Sequence, residues 1–251
     1  MSSYDLFAPL YDLEHSDFTD DIEMYLNFAV RCDGPVLELG CGSGRVSVAL
    51  AKAGFDVTGI DESAAMLALA REHAADAGVA GRVRFEQCDV RRFALAEQFA
   101  LAIYPLNGFL HLTTGEDQHV ALSNIRQALL PEGLLVVDLP NPHTTFEPGL
   151  DGQMILRRQF RSPEGHTWLS MMSTQTDLAG QIQHMLLAYE RMDDEGIVHR
   201  VTAQMDLRFA YRYEIEYLLR QVGFRLDDVY GTYDLDPYGG DSPNMLVVTY
   251  K

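Results

Sequence analysis

The chain has 251 residues, a mass of 28.1 kDa, and 37 acidic against 19 basic side chains, for a net charge of −18. Nucleic-acid affinity rests on neutralising phosphates, so this balance argues against DNA, RNA or an anionic membrane surface as a partner. A composition of 47% hydrophobic and 22% charged residues describes a globular chain with a sizeable core, not a disordered or fibrous one. No Lys or Arg precedes Arg31 and no apolar run nears the roughly 18 residues of a membrane span, so the expectation is a soluble, cytoplasmic protein. Cys32, Cys41 and Cys88 have no C-x-x-C spacing, which suggests neither a disulfide framework nor a zinc knuckle.

Residues 1–34 read as an N-terminal helical cap and 35–140 as alternating short apolar strands and longer helical patterns, the signature of βαβ units. The expected strands are Pro35 to Leu39, Phe55 to Ile60, Val83 to Gln87, Phe99 to Tyr104 and Leu134 to Asp138. Between them lie helices from Val46 to Ala53, from a Ser63 cap to Asp76-Ala77-Gly78, and from Glu116 to Leu130, stopped by Pro131-Glu132-Gly133. Turn sequences at Ser162 to Gly165, Asp177 to Gly180 and Asp193 to Gly196 divide 153–209 into about four antiparallel strands. Residues 210–251 complete the sheet with a helix from Tyr211 to Val222 and strands near Arg225 to Asp234 and Met245 to Tyr250.

The most informative stretch is Glu38-Leu39-Gly40-Cys41-Gly42-Ser43-Gly44-Arg45, between the first strand and helix. Arg45 stands where a dinucleotide fingerprint needs its third glycine, and no G-K-[ST] follows for a phosphate loop. A nucleoside ligand without pyrophosphate fits better, its ammonium drawn to Glu38. Asp61 ends the second strand, where a carboxylate can accept two ribose hydroxyls, and Asp89 follows the third, where it can accept from an adenine amino group.

With Gly59-Ile60-Asp61-Glu62-Ser63, Met66-Leu67 and Cys88-Asp89-Val90, this stretch resembles the class I S-adenosylmethionine-dependent methyltransferases, particularly the small-molecule sugar-amine and glycine N-methyltransferase groups. The resemblance implies an α/β, Rossmann-like sheet of seven mostly parallel strands with helices on both faces, plus an antiparallel strand insert after the fifth strand. It implies S-adenosylmethionine as cofactor, with Gly40, Gly42 and Gly44 bordering the methionine portion and Asp61 on the ribose. Glu62, Met66, Asp89 and Val90 surround adenine, and Tyr11 in the N-terminal segment closes over the methionine end. Tyr104 to His111, including Leu106, falls beside the sulfonium.

An activated methyl needs in-line approach and exclusion of water more than it needs a metal, and the eight histidines include no H-E-x-x-H and no i, i+4 pair. No metal is expected. His111 is the candidate general base or substrate-orienting group, Asn107 a polar substrate contact, and Trp168, with Met171, Met172 and Tyr189, an apolar wall for the acceptor. The expected reaction is methyl transfer to a small-molecule amine, with a hydroxyl acceptor or non-catalytic binding as alternatives. Residues 153–209 would act as a lid or as the surface of a homodimer.

Overall fold

A computed structural model describes residues 3–145 and 150–251. After a single tight turn at Ser3–Leu6 the helices and strands run α1 (Ala8–His15), α2 (Ile22–Cys32), β1 (Val36–Leu39), α3 (Arg45–Lys52), β2 (Val57–Asp61), α4 (Ala64–Asp76), β3 (Val83–Gln87), β4 (Phe99–Tyr104), α5 (Gly115–Ala128) and β5 (Leu129–Pro140). A short α6 (Pro142–Thr145) leads to β6 (Ile155–Arg161), β7 (Thr167–Asp177), β8 (Ile182–Met192) and β9 (Val198–Arg208), and α7 (Arg212–Val222), β10 (Arg225–Tyr230) and β11 (Asn244–Tyr250) close the chain.

Among the described residues the strands form a seven-stranded sheet ordered β10-β11-β5-β4-β1-β2-β3 and a separate four-stranded sheet ordered β6-β7-β8-β9. In the large sheet β11 runs antiparallel to both β5 and β10, and the other pairs are parallel. Strand order reverses between β1 and β4, which opens a crevice at their carboxyl ends, where ligands of such sheets bind.

Parallel strands buried on both faces alternate between two apolar layers. Leu37, Leu39, Ala102, Leu135 and Val137 face α5 and α7 through Leu122, Ile125, Ile215 and Leu219. Val36, Leu101, Ile103 and Val136 face α2 and α3 through Tyr25, Phe28, Val46 and Leu50. The helix α2 is thus a body helix with one buried face, and within the expected cap of 1–34 the stretch that borders the crevice lies ahead of it.

Two boundaries differ from expectation. The strand β5 starts at Leu129 and passes through Pro131-Glu132-Gly133, because Leu129 pairs with Phe99 and the β4–β5 register then slips. The strand β10 ends at Tyr230, where the chain turns into a loop closed by a bridge between Tyr230 and Pro237.

The small sheet carries a bulge: Leu156 pairs with Met171 but Arg158 with Ser170, leaving Arg157 as the extra residue. Side chains normally alternate across a strand, and a bulge re-aims one of them. Consecutive arginines consequently both reach α1, Arg157 lying 3.9 Å from Glu14 and Arg158 bonding the Glu14 carbonyl and Asp17.

Candidate active site

The crevice holds a cavity of about 750 Å³, within the range of small-molecule sites. Its floor is the β1–α3 loop. Gly40 and Gly42 have φ of +63° and +53°, a region that favours glycine, and a Cβ on Gly42 would meet nothing within 4 Å, so the loop leaves open space there for a ligand. Gly44 lines the cavity too, but its absent side chain serves packing: a Cβ would press on Ala70 and Phe85 at 3.0 Å.

Asp61 ends β2 with each carboxylate oxygen accepting one backbone N–H, Gly42 N at 2.9 Å and Ser63 N at 2.8 Å. The carboxylate thereby ties the glycine loop to the start of α4 and keeps lone pairs for further donors. Burial raises its pKa against the pull of those two N–H groups. Ser63 caps α4 by accepting from Met66 N, and its hydroxyl donates to Asp5 at 2.6 Å. Glu38 on β1 is 2% exposed and accepts from the Ser47 hydroxyl, and burial pushes its pKa up to about 7.

Asp89, after β3, is gripped by Arg91 through Nε and Nη2, which holds the Asp89 carboxyl below its ordinary range, and Arg91 also reaches Asp117 at 3.2 Å. Glu62, Met66, Val90 and Leu106 line the same cavity. Leu106 and Asn107 both have positive φ, 46° and 62°, uncommon for residues with a Cβ. Buried Asp138 at the end of β5 holds that turn, accepting Leu106 N–H at 3.2 Å and the Tyr233 hydroxyl at 3.1 Å. Burial raises the Asp138 carboxyl to about 7.

The wall opposite the glycine loop comes from the N-terminal segment. Tyr11 lines the cavity from α1, and burial raises its phenol to about 12. The Tyr4 hydroxyl lies 3.1 Å from His111 Nε2, and the two rings meet edge to face. His111 presents an exposed edge, and the surrounding protein lowers its pKa.

The structure therefore brings Tyr11, Glu38, Gly40, Gly42, Gly44, Asp61, Glu62, Met66, Asp89, Val90, Leu106 and His111 around one cavity. Asn107 and Trp168 are not among its lining residues. Asn107 serves the turn, its N–H bonding the Asp138 carbonyl and its own carbonyl accepting from Leu110. Trp168 packs with Phe7, Leu187 and Tyr189 beneath the Arg191 guanidinium, because the N-terminal segment occupies the face of the insert that sequence reading left open for an acceptor. Tyr189 is buried there and donates to Glu14 at 2.6 Å.

Sequence reasoning did not single out Asp5, His15 or the Asp12–His73 pair. His73 bonds the Ser43 carbonyl at 3.0 Å and Asp12 at 3.2 Å, fastening α1 to the glycine loop. The i, i+4 spacing of Tyr11 and His15 was the available signal for His15. Among the described residues no cluster of three or more His, Cys, Asp or Glu suits a metal ion, and no helix is long and apolar enough to cross a membrane.

Comparison with known proteins accords with this geometry. Residues 36–133 match the methyltransferase domain family. The putative methyltransferase YqeM of Bacillus subtilis is 30% identical over 147 residues, so the match spans 57% of each chain. The cypemycin N-terminal methyltransferase of a Streptomyces species is 28% identical over 214 residues, 85% of this chain and 81% of that one. Among solved structures, the CcbJ methyltransferase of Streptomyces caelestis superposes with a TM-score of 0.83 over 99% of this chain and 97% of its own, and at 21% identity that likeness speaks for the fold. Residues 36–133 thus carry the pattern of a methyltransferase domain, the chain is similar to a named methyltransferase over most of its length, and the methyl donor such a likeness implies is S-adenosylmethionine. The residues present suit that molecule: the open cradle at Gly42 admits its backbone-hugging end, and the carboxylates of Glu38, Asp61, Glu62 and Asp89 suit a ligand carrying ammonium and sulfonium charge.

Proposed function

We propose that the protein transfers the methyl group of S-adenosylmethionine to the amine of a small molecule by direct in-line displacement. The observation that carries this reading is the cavity of about 750 Å³ whose lining runs from the glycine loop to Tyr4 and His111. An acidic chain of net charge −18 favours cationic ligands over polyanions, and a relative of similar length is named for methylating an N-terminus. We place the enzyme in the cytoplasm and assign the four-stranded insert, packed on the N-terminal segment, to covering the site.

When bound, S-adenosylmethionine supplies a methyl already activated by its sulfonium. The residues would hold it as follows: Asp61 accepts the ribose hydroxyls, Glu62, Met66, Asp89 and Val90 surround the adenine, and Glu38, Gly40, Gly42, Leu106 and Tyr11 enclose the methionine portion. The Arg91 grip on Asp89 fixes the carboxylate that would face the adenine amino group. His111, its Nε2 engaged by Tyr4, orients the acceptor, while the N-terminal segment excludes water from the reacting atoms.

Formation of S-adenosylhomocysteine across a panel of primary and secondary amines and matched alcohols tests the reading. Turnover with amines supports it. Products from alcohols alone overturn the nitrogen assignment, and tight cofactor binding without turnover on any acceptor favours a non-catalytic binding protein.

The Glu38 carboxyl makes cofactor affinity pH-dependent. A ligand ammonium beside it favours the ionised form, whereas the free protein holds the proton up to about pH 7. Binding then releases a proton below that pH, so S-adenosylhomocysteine affinity rises as pH is raised from 5.5 to about 7 and then levels. Calorimetry on Glu38→Gln should give a flat profile with weaker binding above pH 7; an unchanged slope would remove Glu38 from the ammonium site.

A further inference from the structure

His15 follows Tyr11 by one helical turn, and their rings stack with centroids 4.0 Å apart and planes 25° from parallel. His15 Nδ1 lies 2.8 Å from the Tyr11 carbonyl oxygen. A carbonyl only accepts, so Nδ1 carries the hydrogen, and in the neutral ring Nε2 keeps its lone pair. His15 lines the cavity, and among the described residues its Nε2 has no protein partner. The other imidazoles of that cavity are engaged: His111 Nε2 by Tyr4, and His73 by the Ser43 carbonyl and Asp12. From His15 through Tyr11 and Tyr4 to His111 the rings form one continuous aromatic wall, with Tyr11 and Tyr4 edge to face at 5.4 Å. Electron-rich faces of this kind attract an ammonium ion.

We propose that His15 Nε2 is the proton acceptor for an ammonium substrate docked on this wall. The inference rests on the reading of the protein as an amine methyltransferase and supplies its base. The charged groups facing His15 are Glu14 on its own helix, Asp17 just beyond it, Arg45 at the start of α3 and Arg157 on the bulge of β6. Burial lowers the imidazole pKa, helped by the two arginines and opposed by the Tyr11 carbonyl and Glu14, so the neutral base form prevails at neutral pH. An N–H bond of the substrate ammonium breaks and its proton passes to Nε2. The lone pair left on nitrogen forms the new N–C bond as the methyl–sulfur bond breaks, its electron pair remaining on sulfur as a neutral thioether. The imidazolium then returns its proton to water.

Long-range proton–nitrogen spectroscopy of the full chain at pH 7.5 tests this, with His15→Phe assigning the signal. The expected result is an Nδ1–H tautomer whose Nε2 resonance is unmoved by saturating S-adenosylhomocysteine and moves when methylammonium is then added. An Nε2–H tautomer, a shift caused by S-adenosylhomocysteine itself, or no response to methylammonium overturns the proposal. In turnover with the best amine from the panel, His15→Phe keeps the stacked ring and S-adenosylhomocysteine affinity. It lowers kcat/KM by about 10²- to 10⁴-fold at pH 7, with recovery as pH rises and the free amine accumulates. A loss that is independent of pH also overturns it. If no amine is turned over by the parent protein, the methyl-transfer reading fails, and the spectroscopic outcome still decides whether His15 is an ammonium-facing base.

Discussion

Asp61→Ala lowers the affinity for S-adenosylhomocysteine by about tenfold to hundredfold in calorimetry, the range expected for removing hydrogen bonds to a charged acceptor. Two effects add in the same direction. The substitution removes the acceptor for the ribose hydroxyls, and it releases Gly42 N–H and Ser63 N–H, so the cradle loses the anchor that joins it to the start of α4. Asp61→Asn separates them, because one amide oxygen retains a single backbone partner while the amide nitrogen meets an N–H donor. We expect the Asn variant to stay folded and to bind nearly as poorly as the Ala variant. A folded Asp61→Ala protein with unchanged affinity would refute the placement of the ribose.

Asp61 was readable from sequence for a simple reason: a carboxylate at the end of a strand that follows a glycine loop sits at the edge of a parallel sheet, where ligands bind. The same logic located Glu38 and Asp89. The β-strands themselves were readable because strands buried on both faces read as short unbroken apolar runs, as in Phe99 to Tyr104. What stayed hidden depends on partners far away in the chain. Nothing local announces that Leu106 and Asn107 adopt left-handed backbone, since the group that holds the turn is Asp138, 32 positions on. The start of β5 was hidden because Pro131-Glu132-Gly133 carries the chemistry of a helix stop, while pairing of Leu129 with Phe99 makes the segment a strand.

Trp168 illustrates a different limit. An aromatic residue on a half-buried strand suits a pocket wall and a packed core equally well, and the choice falls to Phe7, which fills the space in front of it. The acidic N-terminal segment shows the same dependence on distant partners. Asp5, Asp12, Glu14 and Asp17 meet donors on the β2–α4 turn, α4, β8 and β6, respectively. These contacts position Tyr4, Tyr11 and His15 over the cavity, so the wall of the candidate site is assembled by long-range pairing.

Arg45→Ala destabilises the protein by about 3 to 5 kcal/mol, the loss expected when one partner of a buried ion pair is removed. A cation at a helix N-terminus opposes the helix dipole, so Arg45 at the first position of α3 needs a compensating partner. Asp21 supplies it: both guanidinium Nη atoms lie 2.6 Å from its two oxygens, Nη1 also donates to the Phe18 carbonyl at 3.0 Å, and the plane covers the Phe18 ring. Asp21 precedes α2 but makes no side-chain cap there, and it is fully buried. Without Arg45 its carboxylate would stay in the interior beside Glu38 and Asp138, which already repel it. At about 2 to 4 °C per kcal/mol for a chain near this size, the melting temperature should fall by roughly 10 °C. Pairing Arg45→Met with Asp21→Leu should restore most of the loss, because removing both charges also removes the desolvation penalty. A single variant that melts within a degree or two of the parent would show that the pair does not hold the N-terminal segment over the glycine loop. Full destabilisation that persists in the double variant would move the cause from the ion pair to the lost contact of the Arg45 guanidinium with the Phe18 ring and carbonyl.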